Sequence, residues 1–106
     1  MDSRKLHRLE KIFGIMNKNA DEAMRYAYKV HEMENADSGC ARLYRSMANG
    51  HLGFNTEAES VAMRLMEEIK EAEAGEVRDL LMEMFDARHA HMKERMAEIK
   101  SMLEMK

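Results

Sequence analysis

Four side chains of this sequence are the candidates for binding a transition metal or carrying a proton. They are Glu22, His51, Asp86 and His89. Histidine titrates near neutral pH, and together with carboxylates it supplies ligands for zinc, iron or manganese. Asp86 and His89 are spaced so that they share one face of a helix. That spacing is half of a di-iron pattern, which also needs a second carboxylate–histidine pair and two further glutamates.

The spacing of the apolar residues decides which of these side chains can meet. Apolar residues recur at alternating steps of three and four along three stretches, which is typical of helices packed side by side. Residues 35–39 and Gly75 interrupt the pattern and predict two turns. The three predicted core registers are Leu6, Leu9, Phe13, Met16, Ala20, Ala23, Ala27 and Val30; Cys40, Tyr44, Met47, His51, Phe54, Ala58, Val61, Leu65, Ile69 and Ala72; and Phe85, His89, Met92, Met96, Ile99 and Leu103.

The predicted fold is all-α, a single domain over residues 1–106 built as an antiparallel up-down-up bundle of three long helices. The chain has no proline and few β-branched residues, which favours helix over strand. Gly50, Gly53 and a capping box that begins at Thr56 leave a four-helix bundle open, with a break near residues 49–57. The apolar spacing runs through this segment without a shift and favours one continuous helix.

In such a bundle His51 lies level with Glu22, and His89 lies level with Ile12 and Val61. The two histidines are then roughly 15 Å apart along the bundle axis. They cannot share one metal ion. His51 with Glu22 is either half of a metal site or a core histidine that is hydrogen-bonded to Glu22 or Tyr26, and the second interpretation is favoured. Asp86 with His89 is favoured as a chance spacing in a charged helix.

Methionine and cysteine carry two further predictions. Of the 13 methionines, Met24, Met33, Met63, Met66 and Met82 lie off the predicted registers. They indicate a second buried face, most simply against another copy of the chain, and copper(I) binding is the less favoured interpretation. The only cysteine, Cys40, cannot form an internal disulfide, which fits a cytoplasmic protein. We expect its thiol to be buried and structural.

Composition excludes several function classes. The net charge is −3 and no basic block stands out, so nucleic-acid binding is not expected. No apolar run approaches the roughly 20 residues of a membrane-spanning helix, and the charged N-terminus does not read as a signal peptide. The sequence has no glycine-rich phosphate loop, no Gly-x-Ser-x-Gly and no Cys-x-x-Cys. Nothing in it requires an enzyme, and a non-catalytic protein without a cofactor is favoured.

Several short segments resemble a family of helical proteins from Gram-positive bacteria and their prophages, distant relatives of rubrerythrin and ferritin-like bundles. The resemblance implies a helical bundle in which Glu22 matches a first-helix metal carboxylate. Where that family tends to show Glu-Leu-x-His on the second helix, this chain has His51-Leu52-Gly53-Phe54, so the implied iron site is altered. The resembling segments are Asp21-Glu22-Ala23 with Tyr26-Ala27, Ala41-x-x-Tyr44, Met47-Ala48-x-x-His51-Leu52-x-Phe54, and Ala97-Glu98-Ile99-Lys100 with Met102-Leu103.

Two functions are therefore expected. The first is a non-catalytic bundle that acts through protein–protein contacts, as a homo-oligomer or with an unidentified protein partner, because apolar residues exceed what one core face per helix requires. The alternative is a ferritin-like protein that binds iron, manganese or zinc at an altered site around Glu22 and His51.

Overall fold

The computed structural model describes residues 3–33, 38–72 and 74–104. They form three helices, α1 (Ser3–Glu32), α2 (Gly39–Ala72) and α3 (Glu76–Glu104). Contacts between Lys5 and Glu68 and between Tyr26 and Tyr44 align α1 with α2 in opposite directions. The bundle measures 55 × 18 × 15 Å. The predicted all-α bundle of three long helices is confirmed.

Helix α2 continues through residues 49–57, where the alternative prediction placed a break between two helices. It is helical from Gly39 to Ala72, so the four-helix arrangement is wrong. The Thr56 hydroxyl, a candidate N-cap, instead donates to the main-chain oxygen of Leu52 at 3.1 Å. Threonine makes this bond to the preceding turn when it lies inside a helix. The apolar spacing was therefore the better guide, because it followed the packing that holds α2 together.

Polar contacts satisfy main-chain groups at the helix ends. The amide of Ala41 donates to Ser38 Oγ at 3.1 Å, which caps the start of α2. Arg78 donates to the oxygen of Lys70 at 2.8 Å, and His31 Nε2 donates to the oxygen of Met102 at 2.7 Å. These oxygens lie in the last turns of α2 and α3, where a helix leaves carbonyls unpaired. Gly75 immediately precedes α3 with φ +132°, a conformation that favours glycine.

The core is built from small side chains between α1 and α2 and from larger ones on α3. Helices α1 and α2 make the most extensive contact in the bundle. Alanines line it because a methyl side chain lets two helix backbones lie close together. On the α3 side, the rings of Phe13 and Phe85 stack with their centroids 5.9 Å apart. The fully buried alanines are Ala20, Ala23, Ala27, Ala41 and Ala48.

The predicted core register of α2 is right at Leu65 and Ile69, but from residue 40 to residue 62 the buried face lies one residue further along the chain than predicted. Cys40, Met47, Phe54 and Val61 are exposed, so the expected buried thiol at Cys40 is also wrong. Met66 and Met82, which were placed off the core registers and expected to face another copy, are buried within the single chain. The predicted face and the observed face of α2 both repeat every seven residues. The observed face is buried because it carries the alanines, which allow α1 to approach closely. The buried residues of α2 are Ala41, Ala48, Asn55, Ala62, Leu65, Met66 and Ile69.

Candidate functional site

His51 belongs to a polar network between α1 and α2. Its Nδ1 donates to Asn19 Oδ1 at 2.9 Å. Asn19 Nδ2 donates to Asn55 Oδ1 at 3.3 Å, and Asn55 Nδ2 donates to the main-chain oxygen of Met16 at 3.0 Å. Because the amide oxygen of Asn19 accepts, this arrangement requires a proton on His51 Nδ1. The network pairs every polar group of the fully buried Asn55 side chain within the bundle.

Aromatic rings extend this network toward the C-terminal end of α1 and the N-terminal end of α2. The ring of His51 stacks on Tyr26 with a centroid distance of 5.8 Å and an interplanar angle of 14°. Tyr26 stacks in turn on Tyr44, also at 5.8 Å. The guanidinium of Arg25 lies 5.2 Å from the Tyr26 ring centroid, within the range of a cation–π contact. His51 is thus a hydrogen-bonded, stacked histidine, but its hydrogen-bond partner is Asn19.

The carboxylate of Glu22 pairs along its own helix. It accepts a hydrogen bond from Arg25 at 2.6 Å. That bond and the charge of Glu22 raise the pKa of the Arg25 guanidinium above its usual range. Glu22 therefore lies at the height predicted for it but is engaged with Arg25, while His51 is engaged with Asn19.

His89 is held by a carboxylate on α2. Its Nε2 lies 3.0 Å from Glu59 Oε2. The predicted partner, Asp86, is exposed on α3. Among residues 3–33, 38–72 and 74–104, no three His, Cys, Asp or Glu side chains are placed to hold a metal ion. His51 and His89 thus lie at two heights of the bundle, each bonded to a residue other than its predicted partner, and the described residues do not form a complete ferritin-like ligand set.

An apolar groove runs between α1 and α2 on the side away from α3. Its exposed side chains are Met47 at 37%, Phe54 at 51% and Val61 at 46% on α2, with Ile15 at 44% on α1. Two depressions of about 300 and 450 Å³ lie along it and share Ile15 and Phe54 as lining residues. His51 borders the larger one. Apolar side chains and one edge of the polar network, at His51 and Asn19, therefore line the same groove.

Sequence reasoning identified the residues of this groove on α2 but assigned them to the core. It missed Ile15, which lies on the outer side of α1. It also missed Asn55, although a signal was present. Ala41, Ala48 and Ala62 recur at seven-residue spacing, and Asn55 fills the remaining position of that series. A polar residue in an otherwise apolar heptad series is typical of a buried position that specifies register.

Helix α2 also divides its charges along its length. Residues 39–53 carry Arg42 and Arg45 and contain no Asp or Glu. Residues 54–72 carry five glutamates against one arginine and one lysine. The first half of the helix is therefore basic and the second half acidic. Such a division favours a partner with the opposite order of charges.

Comparisons with protein-family models, curated proteins and solved structures give no match. The resemblance to prophage and ferritin-like bundles therefore stays a prediction. Within the described part of the chain, no helix is long and apolar enough to cross a membrane.

Proposed function

We propose that this chain is a non-catalytic helical bundle of the cytoplasm that acts through protein–protein contacts as a homo-oligomer. The apolar groove between α1 and α2 is the observation that carries the proposal. Exposed apolar side chains that lie next to each other along a groove mark interaction surfaces more often than scattered ones do. Phe54 and Met47 are of the residue types that are enriched in protein interfaces.

The lining of the groove suits a protein surface better than a polar substrate. Ile12, Ile15, Ala58 and Val61 supply most of the smaller depression, and Glu57 is its charged residue. At the border of the larger depression, the Nδ1 of His51 is already engaged with Asn19. Binding there would gain mainly from burial of apolar surface, which is the main source of affinity in protein association.

The proposal is tested by the oligomeric state of the untagged protein over a range of concentrations, measured by native mass spectrometry and sedimentation. We expect an assembly that Phe54→Glu disrupts. Leu80→Glu is the matched control, because Leu80 is 59% exposed on α3, outside the groove. A monodisperse monomer at every concentration would contradict the homo-oligomer. Equal disruption by both variants would remove the groove as its site.

A metal-binding function is the second candidate. Its support is the position of His51, which lies on α2 at the border of the larger depression. Glu22 lies on the neighbouring helix α1, one turn beyond Asn19, the hydrogen-bond partner of His51. Elemental analysis of protein purified without chelator tests it. Stoichiometric iron, manganese or zinc that is lost in His51→Ala would favour an altered ferritin-like site around Glu22 and His51. A metal-free protein whose thermal stability does not change on addition of these ions would reject it.

A further inference from the structure

The exposed face of α2 repeats as a coiled-coil interface does. Two series of residues, each at seven-residue spacing, alternate along it at steps of three and four. In a coiled coil such positions are the a and d positions that meet a partner helix. Every one of these side chains is exposed in the single chain. The first series is Cys40, Met47, Phe54 and Val61, and the second is Leu43, Gly50, Glu57 and Arg64.

Given the protein–protein function proposed above, we infer that the occupant of the groove is a second copy of this chain, with α2 of the two copies packed antiparallel about a two-fold axis. In an antiparallel coiled coil, residues of one series face residues of the other. Leu43 then lies opposite the partner's Val61, and Phe54 lies opposite the partner's Gly50. Each of these contacts occurs twice, as the symmetry of a two-fold interface requires.

The shapes along this face complement each other in that pairing. A Cβ added at Gly50 or Gly53 would meet no atom of another described helix and no side chain beyond its chain neighbours within 4 Å. The exposed ring of Phe54 is a large side chain, and the bare backbone at the partner's Gly50 leaves room for it. Alternation of large and small side chains across an interface gives close packing without voids. Glycine within α2, which costs helix stability, gains a role as the surface that receives this ring.

Charge decides between the two directions of pairing. A parallel pair would stack Glu57 on the partner's Glu57 and Arg64 on the partner's Arg64. Like charges that face each other across an interface are repelled and select against that arrangement. The antiparallel pair places Glu57 opposite the partner's Met47 and Arg64 opposite the partner's Cys40. It also sets residues 39–53 of each α2, which carry Arg42 and Arg45, beside residues 51–65 of the other, which carry Glu57, Glu59 and Arg64.

The groove determines which surface of the first copy receives the second. Ile12 and Ile15 on α1 form the wall opposite Phe54. A second α2 that lies along this groove contacts both helices of the first copy. The α1–α2 pairs of the two copies then make a four-helix core, a common arrangement for helices that each carry two apolar faces. Helix α3 of each copy stays on the outside.

Cysteine cross-linking reports the direction of pairing. Ser46 and Ser60 are exposed and immediately precede Met47 and Val61, so they lie along the same edge of the interface. Two variants are prepared, Cys40→Ser with Ser46→Cys and Cys40→Ser with Ser60→Cys. They are treated with a short bis-maleimide separately and after mixing. We expect cross-linked dimer only in the mixture, because the antiparallel pair brings residue 46 of one copy beside residue 60 of the other.

The outcomes separate this inference from the function on which it rests. Cross-linking of each variant alone, with none added by mixing, would show a parallel dimer and overturn the inference while leaving the homo-oligomer. A dimer in native mass spectrometry that gives no cross-link in any sample would mean that another surface pairs, and would overturn it too. A monomer at all concentrations would overturn both.

A second measurement uses the glycine that receives the ring. Gly50→Gln adds a side chain where Phe54 of the partner copy is expected to pack. We expect the dimer dissociation constant to rise by about tenfold or more, as for a residue at the centre of an interface. Gly14→Gln on α1 is the control, since a Cβ there also meets no atom of another described helix within 4 Å, and it should leave dissociation unchanged. Equal dissociation constants for the two variants would overturn the pairing.

Discussion

Asn55 on α2 donates a hydrogen bond of 3.0 Å to the main-chain oxygen of Met16 on α1, from a position with no exposed surface. The carbonyl of Met16 has a second lone pair for this bond beyond the one its own helix uses. A shift of α2 by one heptad would bring Ala48 or Ala62 to the height of Met16. Asn55 would then be buried without this partner, at a cost of roughly 1–3 kcal/mol. The pair therefore fixes the height of α2 against α1.

Asn55→Ala should lower the free energy of unfolding by about 1–3 kcal/mol, because it leaves Asn19 without one partner and creates a small void. Urea unfolding followed by circular dichroism measures the change. Asn49→Ala on the exposed face of α2 is the control and should stay within about 0.5 kcal/mol of wild type. If both variants unfold at the wild-type midpoint, Asn55 does not hold the register.

Phe85→Ala should be among the most destabilising single changes, at about 3–5 kcal/mol. The ring is buried against Phe13 at the contact between α1 and α3, so its removal leaves a cavity in the core. Val77→Ala is a control on the same helix, because Val77 is exposed. Chemical denaturation of the two variants side by side gives the difference. A loss at Phe85 no larger than at Val77 would contradict the core described for α3.

Two glycine-to-alanine changes should act with opposite signs. Gly14→Ala, inside α1, should raise the free energy of unfolding by about 0.5–1 kcal/mol, since alanine favours helix and its methyl has room. Gly75→Ala should lower it by roughly 1 kcal/mol or more, because φ is +132° at this turn. Thermal melts of both variants test the pair. A stabilising Gly75→Ala would show that the turn adopts another conformation.

Cys40 should react with a thiol reagent in the folded protein, since its side chain is exposed. Labelling is followed by mass spectrometry at a dilution where the chain is monomeric, and again in denaturant. We expect similar rates in both conditions, because an exposed thiol needs no unfolding to reach the reagent. Labelling that is fast only in denaturant would restore the buried, structural thiol that the sequence suggested.

The sequence determines the number of helices, their direction and the heights at which they meet. The register of α1 was right from Leu9 to Val30, because its core face is the only long apolar series on that helix. The register of α3 was right at Phe85, Met92, Ile99 and Leu103. The heights of His51 and His89 were close to those found, since antiparallel helices separated by only a few residues of sequence have little freedom along the bundle axis.

The face of α2 could not be read from hydropathy. Two series compete there, and the one that contains Met47 and Phe54 is the more apolar. The alanine series is buried instead because α1 presents alanines of its own, and only small side chains fit between closely packed backbones. That choice depends on the volumes of both helices together. The partner of His51 was missed for a related reason. His51 lies opposite Asn19 only when the alanine face of α2 is the buried one, and that face was not the predicted one.

The alanine contact between α1 and α2 also bears on how fast the chain reaches this structure. The most extensive contact joins helices that follow each other in the sequence, so the pairing of α1 with α2 can begin at the ends that are adjacent in the chain and extend from there. Helical bundles, whose contacts are mostly local, fold within microseconds to milliseconds. We expect the α1–α2 hairpin to appear in the transition state and α3 to dock afterwards. A nascent chain that lacks α3 already contains the surfaces of α1 and α2 against which α3 later packs.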